Sequence, residues 1–114
     1  MTLEQFLKTL RSEPETIEFS DTMAVIKSDY NFTPTAFSNG EASNAADENN
    51  GSCKIFAFAQ LQSLDADQTL ACFGAYYRDD VLKHPDGTDH GNIRSFMANG
   101  WIGIEFDDMA LTAI

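Results

Sequence analysis

The chain has 114 residues and a mass of 12.6 kDa, which makes one domain over residues 1–114 and leaves no room for a second. Leu, Ile, Val and Phe supply 26 residues, above the roughly 20% floor for a foldable composition, so a core can be buried. The formal net charge of −11 repels phosphate backbones and anionic lipid, and no apolar run approaches the roughly 20 residues of a membrane span; neither nucleic acid nor membrane is an expected partner.

The first element is a capped amphipathic helix. Thr2 and Gln5 form a capping-box pattern, Leu3, Phe6, Leu7 and Leu10 recur on one helical face, and Pro14 ends the run. Ser20 and Asp21 signal a second start, which predicts a helix over Asp21 to Ser28, with Phe19, Met23, Ile26 and Tyr30 on one stripe. Asn31 to Asn39 carries Phe32, Thr33, Thr35 and Phe37 and reads as a strand. Pro34 confines it to an edge or an irregular position. Asn39-Gly40 is a turn signal. From Gly40 to Gly51 no large apolar residue occurs, and the stretch reads as a polar loop near the upper length for a compact domain.

Ser52 to Leu64 is apolar almost all the way round and reads as a buried central helix. Asp67 is the expected cap of the next helix. Its stripe of Leu70, Phe73, Tyr77 and Val81 runs on before Pro85, with a strand over Ala71 to Tyr77 as the alternative. Pro85-Asp86-Gly87 is a turn. Ile93, Phe96 and Met97 mark a short helix closed by Asn99-Gly100. Trp101 to Phe106 alternates as a strand burying Ile102, Ile104 and Phe106, and Met109 to Ile114 extends or returns it. The expected architecture is α+β, about five helices packed on a small antiparallel sheet.

Several constellations bear on chemistry. Cys53 falls in the first turn of the central helix, where free N–H groups, the helix dipole and Lys54 favour a thiolate. His90 and Asn92 follow downstream, giving the Cys-His-Asn order of papain-like thiol hydrolases. The competing expectation is a buried structural thiol that reacts slowly. Two cysteines outside any CxxC pattern predict no disulfide in a reducing compartment. His84 to His90 holds two histidines and two aspartates at no standard zinc spacing. It reads as a solvated turn in which Asp86 and Asp89 cap the following helix, so no metal is assigned. Arg78 is suited to clamp a carboxylate or phosphate or, more plainly, to make local ion pairs on a helix face. Beside it, Tyr77 belongs to the core and Tyr76 to a site. The Asn-rich loop feeds the start of a buried helix, a natural cradle for an anion, though neither GxGxxG nor GxxxxGK[ST] is present and no cofactor is implied. The ligand-binding candidates are therefore Asn44, Asn49, Ser52, Tyr76, Arg78, His90 and Arg94. The catalytic candidates are Cys53, His90 and Asn92.

Long ordered blocks of the chain resemble the HopJ type III effector protein family. They are Asp21-Thr22-Met23-Ala24-Val25-Ile26, Phe32-Thr33-Pro34-Thr35-Ala36-Phe37, and Gly51-Ser52-Cys53-Lys54-Ile55-Phe56-Ala57-Phe58-Ala59. The resemblance continues through Phe73-Gly74-Ala75-Tyr76-Tyr77-Arg78-Asp79-Asp80-Val81-Leu82, Asp89-His90-Gly91-Asn92-Ile93-Arg94-Ser95-Phe96-Met97, and Gly100-Trp101-Ile102-Gly103-Ile104. It implies a bacterial protein and, by the family's name, an effector delivered into a host cell; it carries over no catalytic residue. An export segment is expected to be polar, Ser-rich and unfolded, whereas a capped helix begins here at Thr2 or Leu3, which favours a cytoplasmic protein. The leading expectation is a small cytoplasmic domain that binds a small molecule or a protein. A thiol-dependent hydrolase using Cys53 and His90 is the alternative, and a secreted effector the third reading. The oligomeric state is left open.

Overall fold

The computed structural model describes residues 1–114. Helix α1, Leu3–Ser12, begins as expected: Gln5 N–H donates to Thr2 Oγ1 at 3.1 Å and Thr2 N–H donates to Gln5 Oε1 at 2.9 Å. Phe6 and Leu10 are buried, and Pro14 opens a short 3-10 turn, Pro14–Thr16. Helix α2, Phe19–Asp29, starts two residues before its expected first residue, because the Asp21 carboxylate accepts the Glu18 N–H at 3.0 Å and brings the cap forward. Thr22 and Val25 are buried beside Ile26, while Phe19, Met23 and Tyr30 are only half-buried; the apolar stripe therefore faces two neighbours at once.

The single strand expected over 31–39 is two strands. β1, Tyr30–Phe32, pairs antiparallel with β5, Leu111–Ala113, while β2, Phe37–Asn39, pairs antiparallel with both β3, Ala42–Asn44, and β4, Ile104–Phe106. The break falls around Pro34, whose ring nitrogen has no hydrogen to give a ladder. The C-terminal segment thus returns to β1 and does not extend β4. Asn39-Gly40 makes the expected turn, and β3 lies inside what reads as a polar loop; its Ala-Ser-Asn sequence pairs through backbone groups, and Asn44 Nδ2 adds a bond to Phe37 O at 3.3 Å.

Helix α3, Asn50–Leu61, is the central element. Cys53, Ile55, Phe56, Ala57, Phe58 and Ala59 are all buried. Phe58 packs edge-on against Phe6 at 5.7 Å, and Phe56 lies among Phe37, Phe73, Phe96 and Trp101. The helix stops three residues early because Ser63 turns left-handed (φ 54°) and Leu64 N–H folds back onto Ala59 O at 2.9 Å.

Helix α4, Ala66–Ala71, is capped by Asp65 and not by Asp67: Gln68 N–H donates to Asp65 Oδ1 at 2.8 Å. The long helix expected through Val81 is interrupted at Gly74. That residue has φ +61°, and a Cβ there would stand 2.6 Å from the Phe19 nitrogen, so glycine alone lets this chain approach the start of α2. A π-helical turn follows, Tyr76–Val81, a wider coil that occurs often at functional sites. Helix α5, Gly91–Asn99, closes at Gly100 as expected. The strand expected from Trp101 begins only at Ile104. Residues Gly100–Gly103 form a 3-10 turn that sends the Trp101 indole inward, where Nε1 donates to Leu64 O at 3.0 Å. Ile102, expected to be buried, is 96% exposed as a consequence.

Six helical segments, counting the π-turn, and short antiparallel strands make a single α+β domain. No helix is long and apolar enough to cross a membrane.

Candidate functional site

A cleft of about 630 Å³ opens where the first turns of α3 and α5 meet beside β3. Asn44, Asn49, Ser52, Tyr76, His90 and Asn92 line it together with Phe19, Phe73 and the backbone of Gly51 and Gly91. Five of the seven ligand-binding candidates are thus in one place, with Asn92 as their neighbour. Phe19, Ala42, Ser43 and Phe73 also line it. They gave no signal in the sequence, because their position depends on the bend at Gly74 and on the unmarked strand β3.

The floor is a buried amide cluster. Asn92 Nδ2 donates to Asn44 Oδ1 at 2.9 Å, and Asn44 Nδ2 returns a bond to Asn92 Oδ1 at 3.2 Å. Asn39 Nδ2, fully buried behind them, donates to the Asn92 carbonyl at 2.8 Å. Asn49 Nδ2 donates to Asn44 Oδ1 at 2.7 Å. Buried amides cost free energy unless paired, and pairing fixes their orientation. The Asn residues of the polar loop therefore tie β2, β3 and the starts of two helices into one unit.

Both helix starts are open. The residues before them, Asn49 (φ 52°) and His90 (φ 50°), are left-handed, and neither gives a side-chain cap. The first intrahelical bonds run from Cys53 N to Asn49 O at 3.0 Å and from Arg94 N to His90 O at 3.1 Å. The N–H groups of Asn50, Gly51, Ser52, Gly91, Asn92 and Ile93 have no acceptor in the protein. The expectation that Asp86 and Asp89 cap α5 is not met, since the chain enters that helix left-handed at His90. None of the 18 acidic residues lines the cleft.

His90 stands at the rim. Its Nε2 lies 2.9 Å from Asp80 Oδ2, and its ring packs 5.2 Å from that of Tyr76; both partners come from the π-turn. Its Nδ1 has no protein partner. Arg94 does not reach the cleft. Its guanidinium gathers the preceding loop, donating to Asp89 O at 2.7 Å, Asp89 Oδ1 at 2.7 Å and His84 O at 2.9 Å. The bond from Arg94 holds the Asp89 carboxyl below the usual carboxylate range. Arg78 also lies away from the cleft. It makes none of the expected ion pairs, and its Nη1 is buried without a protein acceptor.

Cys53 does not line the cleft that His90 lines. It is the fourth residue of α3, so its own N–H is already bonded within the helix. The thiol is buried and donates to Thr35 O at 3.5 Å. Burial pushes its pKa up, outweighing the Thr35 bond and the charge of Lys54, whose Nζ sits over the Phe32 ring at 4.8 Å. Cys72, also free, is pushed up to about 12 by burial.

Comparison with known proteins places the fold and the family. A solved crystal structure, described as that of an unknown function protein VPA0580, superposes with a TM-score of 0.98 at 61% identity, covering 100% of this chain and 95% of that one. No curated protein matches the chain. The profile of the family described as HopJ type III effector protein matches residues 3–111, and the chain belongs to the HopJ family.

Proposed function

We propose that the protein is a binding domain that holds a small polar ligand in the cleft between the first turns of α3 and α5. The observation that carries this reading is the gathering of Asn44, Asn49, Ser52, Tyr76, His90 and Asn92 around one concavity with unpaired backbone donors. Asn44, Asn49 and Asn92 beneath it are bonded to one another before any ligand arrives, so the site is preorganised and binding orders little. Phe19, Phe73 and Tyr76 give it an apolar wall.

Thiol hydrolysis is the weaker reading. A nucleophilic cysteine needs a stabilised thiolate within reach of its base, and Cys53 has a raised pKa, a carbonyl partner and no place in the cleft. A cytoplasmic location fits a chain with these two buried free thiols. Delivery into a host cell is supported by the family's description alone.

The test is a panel of small polar metabolites followed by amide correlation spectra of the folded protein. Binders should move the amides of residues 50–52 and 91–93. They should lose affinity in Gly91→Gln, because a side chain at Gly91, which lines the cleft, enters open space. A panel in which no compound moves those amides, or in which shifts cluster elsewhere, overturns the proposal.

A further inference from the structure

We infer that the ligand of this cleft is a compact anion, a carboxylate or phosphate group on a small molecule, received by the imidazole of His90 together with the open first turns of α3 and α5; this rests on the binding reading above. Three observations from different parts of the molecule converge on it. The first is the histidine. His90 lines the cleft, and the only side chains within polar reach of its Nε2 are Asp80 at 2.9 Å and Asp89 at 3.8 Å. Those carboxylates line a separate hollow with His84, Gly87 and Thr88 and do not line the cleft. A carboxylate that accepts from the Nε2–H fixes the imidazole's orientation and leaves Nδ1 for the ligand, and Nδ1 donates to an anion in the doubly protonated ring.

The second observation is the distribution of charge. In a chain of net charge −11, thirteen residues line the cleft and no Asp or Glu is among them. A cleft for a cation or a polyamine would be the natural place for some of those 18 acids. Their exclusion from it removes the repulsion that the rest of the surface would offer an anion.

The third is the set of unpaired N–H groups at Asn50, Gly51, Ser52, Gly91, Asn92 and Ile93, which come from two helices; all of these residues but Asn50 line the cleft. Oriented backbone donors at a helix start favour negative charge, and two starts on one cleft add their fields. Gly51 lets the first turn of α3 lie bare beneath the Phe19 ring; a Cβ there would sit 2.9 Å from Phe19 Cζ. Asp80 acts here as a positioning residue and His90 as a ligand-contacting one.

Phosphate, sulfate and acetate are titrated into the protein at constant ionic strength, with glycerol as the neutral control, and the amides of 50–52 and 91–93 are followed by NMR. The expected result is saturable movement of those amides with phosphate and sulfate if the group is a phosphate, or with acetate if it is a carboxylate, and none with glycerol. Gly91→Glu should weaken that binding about tenfold relative to Gly91→Gln, since the two side chains differ only in charge. His90→Asn, which keeps a residue tolerant of the left-handed backbone, should weaken it several-fold. Asp80→Asn should change the ring-nitrogen signals of His90 that report its tautomer, a readout that a merely structural role would leave still. Anions that leave the six amides unmoved overturn the inference, as does equal weakening by Gly91→Glu and Gly91→Gln. If a neutral panel compound binds there and both Gly91 variants block it alike, the binding reading stands and the anion inference falls.

Discussion

Helix α3 belongs to two regions of opposite character. From Cys53 to Ala59 it is the axis of a phenylalanine-rich core, with Phe56 and Phe58 fully buried. From Asn50 to Ser52, one turn away, it borders a cleft whose floor is a network of asparagines. The core is held by non-directional burial of apolar surface, which tolerates small errors of angle. The asparagine floor is held by directional bonds among Asn39, Asn44, Asn49 and Asn92, with Asn39 Oδ1 buried and without a partner in the protein. The contrast teaches that stability and recognition are separated along a single helix. Changes at one end should unfold the protein, whereas changes at the other should alter a surface on a folded frame.

The largest effect is expected in the core. Phe58→Ala removes a ring that packs against both Phe6 and Tyr30, and Phe56→Ala removes one that touches four aromatic neighbours. Each should cost about 3–5 kcal/mol by denaturant titration. Variants that unfold at the parent's midpoint would show that α3 is not the central element.

Asn92→Ala comes next and probes the boundary between the regions. It removes one of the two bonds at Asn44 Oδ1 and one of the two at Asn44 Nδ2, which keep Asn49 and Phe37 O respectively, and leaves Asn39 Nδ2 with its bond to the Asn92 carbonyl only. A loss of about 2 kcal/mol is expected, measured in the same titration. A neutral result would mean that water replaces the amide and that the floor is not rigid.

Cys53 sharpens the comparison from the side of reactivity. Its pKa is raised above the ordinary thiol value, first by burial, so at neutral pH it stays protonated. With Cys72 replaced by Ala, alkylation of the folded protein at pH 7 should run at least about tenfold slower than that of an unfolded control. The rate should climb only at pH above the ordinary thiol range. A fast reaction at neutral pH would move Cys53 from the core to the site and restore the hydrolase reading.

The smallest effect concerns the loop that delivers His90. Arg94→Gln should cost about 1 kcal/mol globally and raise amide exchange over residues 84–90, since three of its bonds hold that loop. The Asp89 carboxyl is lowered from 3.8 by its bond to Arg94. Its contribution is therefore complete above the ordinary aspartate value and is lost as the pH falls through the lower folded value. Exchange in the loop should rise over that acid window, and Asp89→Asn should abolish the change. A loop equally protected in all variants would show that Arg94 is a bystander.

Much of this frame was legible in the residues. Thr2 and Gln5 announced α1, the unbroken apolar run announced α3, Asn39-Gly40 announced a turn, and Asn99-Gly100 announced the end of α5. These signals act within one or two turns of chain, where hydrogen-bond geometry and periodicity are local. β3 was illegible because its pairing uses backbone groups that every residue owns. The break at Gly74 was illegible because its cause, the Phe19 nitrogen, lies 55 positions away in the chain.

The candidate site divides in the same way. The sequence by itself determined its chemical vocabulary: asparagines in a loop, a serine and a cysteine at a helix start, a tyrosine, and a histidine before another helix start. Only the tertiary structure decided which of them share a cleft. It turned Tyr76 toward His90 through the π-turn, gave His90 to Asp80 and not to Cys53, and used Arg94 to hold a loop. The physical reason is that a local pattern fixes which way one segment faces, whereas membership of a site depends on the packing of segments distant in sequence, here the starts of α3 and α5 joined through Asn44 and Asn92.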